Sequence, residues 1–184
     1  MYIIWVVVAI IVIAVIVIYN SLVTLNTRSE EAWSDISIQL KRRYDLIPNL
    51  VNAVKSYAKH EKEVFEQVTK ARSDAMGAGD IKDKEKAENE LSKTLKSIFA
   101  VAENYPQLKA NENFIQLQEE LTDTENKIEA ARRFYNANVR DLNIKIRSFP
   151  SNIMANIFSF KERTLFEVEA SQKAEIEKAP KVEV

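Results

Sequence analysis

No cysteine occurs in this chain, which removes disulfides, thiolate zinc sites and a cysteine nucleophile together. Histidine occurs once, as His60, so the paired Glu-x-x-His motifs that hold two metals inside a helical bundle cannot be assembled. Only two glycines and four prolines are present. A sheet-rich fold would need many more such turn-forming residues, and phosphate-cradling glycine loops are excluded as well. No H-E-x-x-H, Walker, G-x-G-x-x-G or G-x-S-x-G pattern appears. The 26 basic and 27 acidic side chains leave a net charge of −1, so no one-signed field points at nucleic acid or an anionic surface. These absences predict an all-α protein with no catalytic, cofactor-binding or metal-ligating residues and no evident small-molecule substrate. At 184 residues the chain is long enough to bury one domain-sized core.

Charge is missing in one place above all. Nothing ionisable other than tyrosine precedes Arg28, and Met1 to Tyr19 contains no Gly or Pro either. Val, Ile and Ala dominate this stretch, with Tyr2 and Trp5 near one end and Tyr19 at the other. Roughly 20 apolar residues at about 1.5 Å each cross the hydrocarbon core of a bilayer, and aromatic residues favour its two boundaries. Residues 1–20 are therefore expected to be a transmembrane anchor contacting lipid. A cleaved signal peptide would have a basic start and a small-x-small site, and neither is present. A buried core helix would be amphipathic, and this segment is apolar all round. The basic residues Arg28, Lys41, Arg42 and Arg43 follow the span and none precedes it, which favours a cytoplasmic body.

Residues 21–160 read as an antiparallel, up-down four-helix bundle. Leu22, Leu25, Trp33, Ile36, Leu40 and Tyr44 recur mostly at spacings of three and four, as one buried stripe requires. Asp45 can cap a new helix with Pro48 in its first turn, which predicts a sharp reversal there. The rival is one kinked helix, because Ile47, Val51, Val54 and Ala58 continue the period almost in phase. A second helix is expected from about Leu46 to Met76, with Glu61 in its stripe, and a loop at Gly77 and Gly79. A third is expected over Ile81–Glu103, its charged first half exposed or frayed. Pro106 ends it, and Asn111 or Asn113 caps a fourth over Glu112–Arg147. Thr124 and Asn138 interrupt the fourth stripe, either setting register or lying at the rim. Phe149-Pro150-Ser151 stops that helix, and the apolar run Asn152–Phe160 folds back, with core packing its expected fate and lipid contact the alternative. Residues 161–184 read as a charged, solvated tail.

Two basic clusters stand out. Lys41-Arg42-Arg43 is expected to be a solvated helix end, and Arg132-Arg133 to pair with acidic neighbours such as Glu61. The competing reading makes Arg132–Asn136 and Asp45–Val51 surfaces where a partner docks.

Several stretches together resemble the LemA family of bacterial membrane proteins. They are Tyr19-Asn20-Ser21-Leu22-Val23, Arg42-Arg43-Tyr44-Asp45-Leu46-Ile47-Pro48-Asn49-Leu50-Val51, Tyr57-Ala58-Lys59-His60-Glu61-Lys62-Glu63-Val64-Phe65, Ala71-Arg72, Ala131-Arg132-Arg133-Phe134-Tyr135-Asn136 and Phe149-Pro150-Ser151-Asn152. The resemblance implies a bacterial inner-membrane protein with an amino-terminal single-pass anchor and an antiparallel helical bundle. It brings no catalytic residues. The function expected is a non-enzymatic, membrane-tethered adaptor or scaffold that binds other proteins or itself. The alternative is a membrane-shaping or lipid-contacting oligomer.

Overall fold

A computed structural model describes residues 1–167. Of these, 85% are helical and none lies in a strand, so the scarcity of turn residues did exclude a sheet. The helices are α1 (Tyr2–Tyr57), α2 (Lys62–Gly77), α3 (Ile81–Glu103), α4 (Pro106–Lys109), α5 (Glu112–Arg147) and α6 (Ser151–Ile157). The described chain divides into two compact units, Met1–Gln39 with Lys127–Leu165, and Leu40–Asn126 with Phe166 and Glu167.

In the first unit, the opening of α1 is long and apolar enough to cross a membrane, and no residue of its apolar window is buried by protein. Burial starts at Leu22 and continues through Ala32 and Ile36, and Ile128, Val139 and Leu142 of α5 are buried in the same unit. The Trp33 and Tyr135 rings pack with centroids 5.3 Å apart. Each Leu or Ile fully removed from water contributes about 1.5–3 kcal/mol, so the stripe can hold these long helices together. Asn138 is buried here and Thr124 is buried in the second unit, and each hydrogen-bonds back along α5, to the carbonyls of Phe134 and Glu120.

The second unit corrects the expected reversal at Asp45. α1 continues through Pro48 to Tyr57. A proline inside a helix withholds the N–H that would bond four residues back, here from the carbonyl of Tyr44. Arg72 of α2 supplies the replacement, its Nε donating to the Tyr44 oxygen at 2.7 Å. The chain turns instead at Ala58–Glu61, where no breaker residue stands; Ala58 is fully buried at the corner. Ile47, Leu50, Val54, Val68, Leu91, Ile98 and Leu121 fill this unit's core. Asn111 caps α5 as expected, its Oδ1 accepting the Phe114 N–H at 3.2 Å, while its Nδ2 donates to the Tyr57 hydroxyl at 3.2 Å.

Lys161–Glu167, the beginning of the expected tail, has no helix, and Phe166 within it is buried. The remainder of that tail, residues 168–184, lies outside the described residues.

Candidate functional site

The second unit contains a buried ionic cluster. Arg43 is 1% exposed and Glu88, on α3, is 0% exposed. A lone charge so placed would be very costly, and each is compensated by the other. Arg43 Nη2 donates to one Glu88 oxygen, and the Tyr44 hydroxyl donates to the other. The second fork of Arg43, Nη1, donates to Glu125 Oε2 of α5 at 2.6 Å and to Ser92 Oγ at 3.2 Å. With Arg72 on the Tyr44 carbonyl, four helices of this unit meet at two consecutive residues of α1.

Two expectations fail here. Arg43 is no solvated helix end, and the charged first half of α3 is not wholly exposed, because Glu88 is inside. A run of three basic residues carries no signal for which one turns inward. The helical period does, since Arg43 lies three residues after buried Leu40 and four before buried Ile47.

Beside this cluster is a cavity of about 260 Å³, lined by Arg43, Leu95, Lys96, Phe99, Leu121 and Glu125 among others. Ligand pockets for drug-sized molecules run to about 300–1,000 Å³, so this one is small for a substrate. Arg43 already spends both forks on protein partners. The arrangement is suited to holding helices, and the described residues contain no group of His, Cys, Asp or Glu that could bind a metal ion. His60 is exposed in the turn before α2.

A second polar cluster belongs to the first unit. After α6 the chain continues without helix and is gripped at Arg163. The Asn143 side chain pairs with the Arg163 backbone at both ends, accepting from its N–H at 3.0 Å and donating to its carbonyl at 2.9 Å. The Arg163 guanidinium donates to Asn26 Oδ1 at 3.0 and 3.2 Å and to Glu30 Oε1 at 2.5 Å. Tyr135 Oη donates to the Thr164 carbonyl at 2.9 Å. Burial raises the Tyr135 pKa, and the nearby Arg163 charge opposes that shift. At the surface, a hydrogen bond from Arg147 holds Glu162 below its usual pKa.

The Arg132–Asn136 stretch is split by its helix. Arg132 and Tyr135 are buried, whereas Phe134 stands 56% exposed and Arg133 pairs with Glu129 one turn away rather than with Glu61. Similarly, Asp45, Pro48 and Asn49 face solvent while Ile47 and Leu50 are core. Each predicted docking surface thus reduces to its outward residues.

Comparison with known proteins accords with this picture. The LemA family profile matches residues 32–183. The magnetosome proteins MamQ 1 and MamQ 2 of Paramagnetospirillum magneticum are each 25% identical over 175 residues, covering 81% of this chain and 64% of theirs. MamQ of Magnetospirillum gryphiswaldense is 23% identical over 174 residues, covering 80% of this chain and 64% of its own. The chain thus spans less than two thirds of the length of these relatives.

Proposed function

The chain belongs to the LemA family, and on that premise we propose that it is a non-enzymatic scaffold, tethered in a bacterial inner membrane, that presents a helical body to protein partners. Residues 1–20 cross the bilayer and residues 21–160 form the body, an antiparallel helical bundle on the cytoplasmic side. The observation that carries this reading is the continuity of α1. The helix that holds the apolar run also supplies Leu22, Ala32 and Ile36 to the core of the first unit, with no linker between span and body. The buried polar groups support it too: Arg43 and Tyr44 of α1 both donate to Glu88 of α3, which ties the two helices together.

Phe134 is the natural place to test for a partner. A large aromatic side chain left 56% exposed on α5 has the character of an interface anchor. A photo-crosslinking residue at position 134, introduced in cells, is expected to capture one reproducible foreign protein, and Phe134→Asp is expected to abolish that protein's co-purification without loss of helix. Capture of lipid and the chain itself alone would overturn the scaffold reading in favour of a lipid-contacting oligomer.

A further inference from the structure

Helix α6 is inside out by the rules of a protein in water. Ser151 and Ala155 are its buried residues, one turn apart on one face. Two residues along a helix rotate the side chain by about 200°, so Ile153 and Ile157 share the opposite face. That face is bare: Ile153 is half-exposed and Ile157 is 63% exposed. On either side of the helix Phe149 is 81% exposed and Phe158 about half exposed. The sequence favoured core packing for this run; the small residues took the core instead. Four large apolar side chains clustered within ten residues form the type of exposed patch that marks an interaction site.

The position of α6 identifies the occupant. The Phe158 ring lies 4.7 Å from the ring of Tyr19, centroid to centroid, and that of Phe160 6.1 Å from it. Tyr19 ends the apolar run of α1, where the span leaves the hydrocarbon. The patch is therefore continuous with the surface of the span itself. Lys145 and Lys161 flank it in sequence, with stems long enough to carry their charges out to headgroup phosphates.

We propose that the outer face of α6, with Phe149 and Phe158, is a lipid-contact surface lying at the headgroup boundary of the leaflet from which α1 emerges. It gives the body a second, shallow hold on the membrane beside the anchor. This rests on the reading that residues 1–20 cross the bilayer, and the test separates the two.

The absence of native cysteine permits single labelling of the full chain. Ile157→Cys, Val12→Cys and Phe134→Cys variants, each carrying an environment-sensitive fluorophore, are reconstituted into phosphatidylcholine–phosphatidylglycerol vesicles. Lipids spin-labelled near the headgroup or deep in the acyl chain then serve as quenchers. The expected result is deep quenching at position 12, a blue-shifted emission with shallow quenching at 157, and water-like emission at 134. Quenching at 12 with water-like emission at 157 would leave the anchor standing and overturn the proposal. A blue shift at 157 without lipid quenching would overturn it equally, showing protein on that face. No quenching at 12 would refute the anchor and the proposal with it.

Discussion

Arg43, itself buried, donates to the buried Glu88, to Ser92 and to the half-exposed Glu125. Removing one partner of a buried ion pair strands the other, which costs about 3–5 kcal/mol, whereas replacing both with well-packed apolar residues is often neutral. Arg43→Ala in detergent-solubilised protein is therefore expected to lower stability by about that amount in denaturant unfolding followed by circular dichroism. The pair Arg43→Met with Glu88→Leu is expected to recover most of the loss. Tyr135 makes a prediction of a different type. Its folded-state pKa lies above the unfolded value of 10.0 because burial disfavours the phenolate. Its stabilising contribution is thus complete below 10.0 and is lost as pH rises through the raised value. The absorbance titration of the wild type minus that of Tyr135→Phe is expected to show one phenol ionising above the ordinary range.

Among the elements, α1 and α2 are coupled by an atom that a proline sets free. The Tyr44 carbonyl, deprived of its helical partner by Pro48, accepts from the charged Arg72 side chain. A hydrogen bond to a charged group contributes about 1.5–3 kcal/mol, so Arg72→Ala is expected to cost about that much. In a Pro48→Ala background, where the backbone N–H of residue 48 can reach the same carbonyl, the cost is expected to shrink. A double-mutant cycle on unfolding free energies measures the difference. Residue order alone could not reveal this. Asp45 and Pro48 have the chemistry of a helix start, and what overrides it is a guanidinium 28 residues away. Conversely, the real turn at Ala58–Glu61 has no Gly or Pro to announce it. The elements bounded by strong signals were legible: α3 after the glycines, α5 from its Asn111 cap to the stop before Pro150. The candidate site was less so, because Glu88 and Arg163 owe their places to partners far along the chain.

At the scale of the whole molecule, the sequence divides at Asn20 between an apolar opening and a polar remainder that holds every charged side chain, and this was its plainest message. Deleting residues 1–20 leaves the buried stripe from Leu22 onward intact. The shortened chain is expected to keep its helical circular dichroism and to leave carbonate-washed membranes for the supernatant, as fractionation and immunoblotting would show.

The unbroken course of α1 past Tyr19 also fixes an azimuth. Each residue of a helix advances its direction by about 100°, so the compass bearing of every side chain in the span is set relative to Asn26, Glu30 and Trp33 below it. A neighbour that grips one side of the span consequently dictates which way the first unit faces. One alanine inserted after Asn20 would swing that bearing by about 100° and carry Tyr19 off Phe158, whereas an insertion approximating whole turns would nearly restore it. On the proposed reading of residues 1–20, the anchor works as a key as well as a tether.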